Sequence, residues 1–182
     1  VSSAASDVYK RQILIIFLVS CSSEEEQITE EQTLLGSTQI GLIDDQRILD
    51  AESEPGNWLA HGRTYEERRF SPLKGINKEN VSELGLVWSK DMGTNRALEA
   101  TPIVVDGIMF FTSTWSRVYA VDALTGETIW KFDPKVPGEW ARKACCDIVN
   151  RGVAVYNGKV YSASLDGRLF AINAETGELV LS

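Results

Sequence analysis

The fold is decided by two matching stretches, RVYAVDALTGETIW at Arg117–Trp130 and RLFAINAETGELVL at Arg168–Leu181. Their alignment extends without gaps over Pro102–Trp130 and Val153–Leu181, at a constant offset of 51 residues. Identity is partial, but polarity and turn residues agree throughout. Each unit predicts four short strands separated by an Asp/Asn-Gly turn, a polar turn and a Thr-Gly turn.

The turn residues recur at matching places in the two units. Asp106-Gly107 aligns with Asn157-Gly158, and Asn-Gly is a strong signal for a tight hairpin. Gly126 aligns with Gly177, and glycine supplies the positive φ that such turns need. A recurring unit of about 40–50 residues with four short strands is typical of a β-propeller blade. The alternative is two similar hairpins of a β-sandwich, but that fold has no need to keep the spacing over a whole unit. We therefore predict an all-β chain with a β-propeller fold.

An unusual stretch, RKACCDIVNRG at Arg142–Gly152, lies between the two units. Adjacent Cα atoms are about 3.8 Å apart, whereas ordinary disulfides need roughly 4.4–6.8 Å. A bridge between Cys145 and Cys146 would therefore be strained. Two unpaired loop thiols are the ordinary interpretation of such a pair, and an ion pair with Asp147 is the ordinary interpretation of Arg151.

This stretch resembles the vicinal-disulfide segment of the quinoprotein alcohol dehydrogenases, which use pyrroloquinoline quinone (PQQ). The resemblance implies a disulfide between Cys145 and Cys146 whose ring lies against one face of PQQ. It also implies that Arg151 reaches the cofactor. The stretch LEATPIVVDG at Leu98–Gly107 resembles the same family, and there Glu99 matches a cofactor-contacting glutamate.

The phrase AVDALTGETIW resembles the tryptophan-docking repeat of these enzymes. The resemblance implies an eight-bladed ring in which Trp130 packs on the next blade, with about two to three blades in this chain. Leu181 stands at the tryptophan position of the second unit, a departure that would weaken one docking contact. Trp88 is expected to end an earlier, partial blade.

The resemblance runs from about Asn57 to Ser182 and leaves out much of the family's machinery. Those enzymes place Ca²⁺ on PQQ, use an aspartate base and cover the second face of PQQ with a tryptophan. Family order puts all of these beyond residue 182, so the resemblance implies an N-terminal fragment that carries no catalytic residue and no metal ligand. A haem c in a downstream domain is a further cofactor that the family allows.

Residues before the first unit carry weaker signals. His61 is the single histidine, and in a glycine-containing loop we expect it to be a surface residue. Asn80 and Glu83 form a capping-box pattern that predicts a short helix from about Lys78 to Leu84. A strand is expected to start at Leu86-Val87-Trp88.

Residues 1–21 have the pattern of an export signal. A positive flank precedes the apolar run Ile13–Val19, which is too short to span a bilayer because that takes about 20 residues. The run ends in LVSC and resembles a bacterial lipobox. The resemblance implies that Cys21 is lipidated and that the protein is periplasmic and anchored to the membrane. A buried strand and an artefact of the non-methionine start at Val1 are the alternatives.

Residues 22–56 are predicted to form an acidic, flexible tether, with a short amphipathic helix around Thr33–Ala51 as the alternative. Residues 22–54 contain ten acidic side chains and one basic side chain, Arg47. Residues 55–182 contain equal numbers of acidic and basic side chains, with no basic stripe that would indicate a nucleic-acid partner.

The residues and the resemblance together predict the N-terminal part of a periplasmic quinoprotein that oxidises small alcohols to aldehydes. It would use PQQ and calcium and pass electrons to cytochrome c or respiratory quinone. Thr114-Trp115-Ser116 favours the ethanol or general-alcohol branch over the methanol branch. One alternative is a non-catalytic PQQ-like-repeat propeller lipoprotein that acts as an outer-membrane assembly scaffold, and another is a sugar-oxidising membrane quinoprotein. CCDIVNRG together with Glu99 favours the alcohol dehydrogenase, because a scaffold has no physical reason to keep them.

Overall fold

The computed structural model describes residues 40–182. These residues form a short helix, α1 at Asp45–Leu49, together with eight strands and four 3₁₀ turns. The strands are β1 Ile103–Val105, β2 Ile108–Thr112, β3 Val118–Asp122, β4 Thr128–Phe132, β5 Ala154–Tyr156, β6 Lys159–Ala163, β7 Leu169–Asn173 and β8 Leu179–Leu181. The 3₁₀ turns are Ala51–Ser53, Val81–Glu83, Thr114–Ser116 and Gly138–Arg142. No helix in this part of the chain is long and apolar enough to cross a membrane.

The eight strands form two four-stranded antiparallel sheets, ordered β1-β2-β3-β4 and β5-β6-β7-β8. Their registers repeat with the offset seen in the sequence. Ile103 pairs with Phe110 in the first sheet, and Ala154 pairs with Tyr161 in the second. Both sheets also carry a register shift at the matching point between their third and fourth strands. The prediction of two equivalent four-stranded units is confirmed.

The first hairpin of each sheet turns through residues with positive φ. Asp106 and Gly107 have φ values of 55° and 78°, and Asn157 and Gly158 have φ values of 46° and 70°. Positive φ at both central residues is the pattern of a type I′ turn, whose twist matches that of the flanking strands. Asp or Asn followed by glycine tolerates this backbone, which explains why the dipeptide recurs at the repeat offset.

Two tryptophans dock on a sheet in the same way. The Trp130 indole nitrogen donates a hydrogen bond of 2.9 Å to the carbonyl oxygen of Ala174, and that of Trp88 donates one of 3.2 Å to Ala123. The two acceptors occupy equivalent positions in the two sequence units. The structure therefore confirms that Trp130 packs on the next blade, and it places Trp88 in an equivalent contact.

The core lies within and between the two sheets. The ring centroids of Phe110 and Trp130 are 5.9 Å apart, and Phe132 packs on Phe170 of the second sheet at 5.3 Å. Leu181 pairs with its neighbouring strand as Trp130 does in the first sheet. However, Leu181 is 69% exposed and Trp130 is 8% exposed, so Leu181 makes no equivalent docking contact within residues 40–182.

The segment 40–56 is folded, so the prediction of a flexible tether is wrong for this part. Ile43, Ile48 and Ala51 are buried. The carbonyl oxygen of Ile43 accepts a hydrogen bond of 2.8 Å from the β5–β6 turn. Acidic composition favours a tether, but these three apolar side chains join the core cluster that the sheets form, while the acidic side chains around them stay exposed or half-buried.

The helix α1 lies inside the range of the amphipathic helix that is the alternative to the tether. The predicted signal segment, Cys21 and residues 22–39 lie outside the described residues.

The predicted helix Lys78–Leu84 is replaced by the 3₁₀ turn Val81–Glu83. Asn80 makes no capping bond to this turn. Its side-chain oxygen instead accepts a hydrogen bond of 2.9 Å from the Asn77 N–H, and its amide donates one of 2.8 Å to the Gly75 carbonyl. The capping box does not form because the Asn80 side chain hydrogen bonds to the backbone of the preceding turn instead.

The strand predicted to start at Leu86 is also not formed. Leu86 and Val87 are 83% and 85% exposed, and they pair with no strand within residues 40–182. An extended segment becomes a strand through hydrogen bonds to a neighbour. Here the segment is held through side chains instead, because Trp88 contacts the first sheet and Lys90 donates a hydrogen bond of 2.9 Å to the Gly126 carbonyl oxygen.

Candidate cofactor site at the cysteine pair

Two segments run side by side to form the site. One is 96–102, just before β1, and the other is 145–152, in the loop between β4 and β5. Thr101 and Gly152 form a parallel bridge, and the Thr101 N–H donates a hydrogen bond of 3.1 Å to the Arg151 carbonyl oxygen. Gly152 has a φ of +131°, and a Cβ atom there would lie 2.8 Å from the Thr101 carbonyl oxygen. Glycine is therefore required for the two segments to approach this closely.

The predicted cofactor residues Glu99 and Arg151 meet across these two segments. Their side chains form an ion pair of 3.1 Å, with Arg151 70% exposed and Glu99 38% exposed. Both groups can therefore still contact a ligand. The alternative partner of Arg151 is Asp147, but the structure pairs Asp147 with Arg96.

Cys145 and Cys146 are both exposed and unbridged, with their sulfur atoms 2.7 Å apart. A disulfide bond is about 2.05 Å long, so the vicinal disulfide stays a prediction. The pKa of the Cys146 thiol is raised, chiefly because it shares a hydrogen bond with the Cys145 sulfur. The positive charge of Arg151 opposes this shift, while the negative charge of Glu99 adds to it. Cys145, Arg151 and Glu99 thus all lie close enough to Cys146 to shift its pKa, so the four predicted site residues are gathered in one place.

The loop that carries the cysteines is held in place by a hydrogen bond to the turn between β2 and β3. Ile148 is 1% exposed, and its carbonyl oxygen accepts a hydrogen bond of 3.1 Å from the Trp115 N–H. Trp115 and Ser116 have φ values of 63° and 54°, which non-glycine residues adopt rarely. Strained backbone of this kind persists where surrounding contacts fix it, and it is common at ligand sites.

An open groove of about 440 Å³ continues from Arg151 along the second sheet. His61, as expected, is exposed, and it lies on the groove wall with Ser116 and Asn150. The groove and the exposed sulfurs offer a broad surface rather than an enclosed cavity. Such a surface can form one wall of a site for a flat ligand.

Two contributors to the site were missed by the sequence reasoning. Arg96 neutralises Asp147, and Asn150 hydrogen bonds across the loop. A lone arginine in a polar stretch carries no sequence signal, whereas Asn150 could have been noticed as part of the matched NRG run. Within residues 40–182, no group of three or more His, Cys, Asp or Glu side chains is placed to hold a metal ion.

Comparison with known proteins shows which family the chain resembles. Residues 58–182 match the model of the PQQ glucose/ethanol/alcohol dehydrogenase β-propeller domain. Over 137 residues the chain is 54% identical to the dehydrogenase subunit of an alcohol dehydrogenase (quinone) of Komagataeibacter europaeus, covering 75% of this chain and 18% of that protein. Over 136 residues it is 57% identical to a quinohemoprotein alcohol dehydrogenase, ADH-IIG, of Pseudomonas putida, covering 75% of this chain and 19% of that protein.

A solved structure of the Pseudomonas putida quinohemoprotein alcohol dehydrogenase superposes with a TM-score of 0.78 at 53% identity. The superposition covers 80% of this chain and 21% of the solved one. The chain thus spans about a fifth of the length of the relatives that it matches.

Proposed function

This chain belongs to the family of the PQQ glucose/ethanol/alcohol dehydrogenase β-propeller domain, and we propose that it forms one wall of a PQQ site in a quinoprotein that oxidises small alcohols to aldehydes. The observation that carries the proposal is the accessible Glu99–Arg151 ion pair beside the exposed cysteine pair. PQQ is flat and carries three negative charges at neutral pH. It therefore needs a flat surface against its ring and cations for its carboxylates.

The donor set fits such a molecule. Arg151 offers five N–H donors and a permanent positive charge, and a lysine would not replace the planar fork. Glu99 engages one edge of the guanidinium at 3.1 Å, so the remaining donors are free for a carboxylate. Cys145 and Cys146, bridged or unbridged, present exposed sulfur to the ring. The cysteine pair covers one face, and residues 40–182 supply no calcium cage beside it.

PQQ, when bound, would supply the quinone that takes a hydride, which carries both electrons, from the alcohol carbon while a base takes the hydroxyl proton, with Ca²⁺ as the Lewis acid that polarises the quinone. We propose that the calcium ligands, the base and the second wall come from further blades, and that the electrons pass to cytochrome c or respiratory quinone. A haem c domain is part of the same proposal, because several relatives are named quinohemoproteins. Arg151 and Glu99 bind and orient the cofactor in this scheme.

We further propose that the protein works in the periplasm, anchored through lipidated Cys21. LVSC at residues 18–21 supports this location. An oxidising compartment is also where a disulfide between Cys145 and Cys146 would persist. With Cys21 consumed by acylation, the two remaining cysteines are an even pair.

The test uses the gene product that carries this chain, purified without PQQ. PQQ binding is followed by fluorescence quenching, and dye-linked alcohol oxidation is measured with added PQQ and Ca²⁺. We expect saturable binding and turnover of small alcohols. The 182-residue chain alone should show no turnover, because it provides one face of the site. Folded gene product that binds no PQQ, or turnover by the chain alone, would overturn the proposal.

A further inference from the structure

Asn150 makes hydrogen bonds with both ends of its side-chain amide. Its nitrogen donates to the Ala163 carbonyl oxygen at 2.8 Å. Its oxygen accepts from the Gly152 N–H at 3.0 Å and from the Thr112 hydroxyl at 3.1 Å. The Thr112 hydroxyl also lies 3.2 Å from the Asn150 main-chain carbonyl oxygen. The pattern needs a donor and an acceptor on one short side chain, which asparagine has and aspartate lacks.

The partners of Asn150 belong to different sheets. Thr112 ends β2 of the first sheet and is 1% exposed, while Ala163 ends β6 of the second sheet. The asparagine therefore ties the loop between the sheets to both of them at once. Because these partners lie at the ends of strands, they are fixed points against which a loop can be held.

The residue held in this way is Arg151. On one side, its neighbour Gly152 donates to the Asn150 side chain at 3.0 Å. On the opposite side, the Arg151 carbonyl oxygen accepts a hydrogen bond of 3.1 Å from the Thr101 N–H. The Arg151 backbone is thus pinned from two directions while its side chain stays 70% exposed. A fixed backbone under an accessible guanidinium lowers the entropy lost when the side chain binds an anion.

We propose that Asn150 is a positioning residue for PQQ binding, which sets the Arg151 guanidinium where it meets a cofactor carboxylate. This inference rests on the proposed function and adds to it a residue that does not itself need to touch the cofactor. A merely structural asparagine would stabilise the fold without any energetic coupling to Arg151. The two roles therefore differ in a measurable way.

The experiment is a double-mutant cycle in the complete gene product, with the PQQ dissociation constant of the PQQ-free protein as the readout. Asn150→Ala should raise that constant about 10-fold, and Arg151→Ala should raise it about 10- to 100-fold. In the Arg151→Ala background, Asn150→Ala should add less than about twofold, because residues that act through one another are not additive.

The matched control is Asn173→Ala. The Asn173 side-chain oxygen accepts backbone hydrogen bonds of 2.9 Å from both Glu175 and Thr176, so its loss also costs stability. It should lower the melting temperature and leave PQQ affinity unchanged. If Asn150→Ala does not fold, Asn150→Asp keeps both acceptor contacts, loses the donor to Ala163 and should still weaken PQQ binding.

The possible results distinguish failure of the proposed function from failure of the positioning role of Asn150. Wild-type protein that binds no PQQ would overturn the proposed function and this inference with it. Wild-type protein that binds PQQ, with unchanged affinity in folded Asn150→Ala or Asn150→Asp, would overturn the positioning role alone. Fully additive effects of Asn150→Ala and Arg151→Ala would also overturn it, because Asn150 would then act independently of Arg151.

Discussion

Trp130 lies directly against Gly177, one blade further along the chain, and a Cβ atom on Gly177 would come within 2.7 Å of the indole ring. Gly177 also has a φ of +76°. Gly126 stands in the same relation to Trp88, with a φ of +73°, and a Cβ atom on Gly126 would lie only 2.5 Å from the ring. The Thr-Gly turn of each unit therefore reverses the chain and also provides the surface on which a tryptophan of the preceding segment packs.

Gly177→Ala should destabilise the fold by about 2–4 kcal/mol, since it adds overpacking against Trp130 to the cost of positive φ. Gly107→Ala is the matched control. Gly107 has a φ of +78° but open space around its missing Cβ, so it should cost only about 1–2 kcal/mol. Urea unfolding of the gene product measures both values. Equal costs for the two variants would show that docking imposes no steric demand on Gly177.

The repeat could be predicted in detail because its determinants are local. Asn157-Gly158 and the Thr-Gly turns specify hairpins by their own backbone preferences, so the strands follow at the offset found in the sequence. The strand at Leu86 could not be judged in this way, since pairing depends on a neighbour that local sequence does not reveal. The folded segment 40–56 was missed because its acidic composition outweighed the signal from the three apolar residues that are buried there.

In the site, too, some features could be predicted from local sequence and others depend on the tertiary fold. Glu99 and Arg151 were predicted from motif resemblance, and the structure brings them together. The pairing of Arg96 with Asp147 joins residues far apart in sequence and depends on the packed loop. Long-range hydrogen bonds of this kind, like those of Asn150, are set by the tertiary fold rather than by local pattern.

The segment 40–56 is held by Arg47, which makes ion pairs of 2.8 Å with Glu54 and 2.7 Å with Asp106. The hydrogen bond from Arg47 keeps the pKa of Glu54 below its ordinary value of 4.5. A depressed carboxyl pKa stabilises the fold above the unfolded-state pKa, and the contribution is lost as the pH falls through the folded-state pKa. Glu54→Gln should therefore lower the melting temperature at neutral pH.

The difference in melting temperature between wild type and Glu54→Gln should shrink below about pH 4.5, because the wild-type carboxyl is then progressively protonated. Glu67→Gln is the control, since the Glu67 side chain is 54% exposed and pairs with a similarly accessible arginine. That pair should contribute little at any pH. A Glu54→Gln difference that stays constant from neutral pH to about pH 3 would rule out the Arg47–Glu54 pair as its source.

Cys21 should carry the lipid if the export proposal holds. Expression with a native-type start and labelling with radioactive palmitate should label the wild-type gene product. Cys21→Ala should remove the label, while Cys145→Ala should retain it. Label that persists in Cys21→Ala, or no label in wild type, would sink the lipid-anchor proposal.

Cys145 and Cys146 should form a disulfide in protein folded in the periplasm. The peptide that contains both should then be two hydrogens lighter without reduction and should take up two alkyl groups only after it. Once reduced, Cys146 should alkylate slowly near neutral pH, because its pKa is raised by the Cys145 sulfur. Cys145→Ser should speed that alkylation. Two freely alkylated thiols in unreduced periplasmic protein would contradict the bridge.

Substitution of Arg151 gives the most direct test of the site, because this side chain is accessible and its loss should leave the fold intact. Arg151→Ala removes a charge-assisted contact to a cofactor carboxylate, so PQQ binding should weaken by about 1.5–3 kcal/mol. Arg151→Lys keeps the charge but not the planar fork that pairs with Glu99, so it should recover part of the affinity. Lys135→Ala removes another exposed cation, one that pairs with Asp133, and should leave PQQ affinity unchanged. Titration of PQQ into the PQQ-free gene product measures all three. If Arg151→Ala and Lys135→Ala weaken binding equally, the effect is one of net charge and Arg151 is not a cofactor contact.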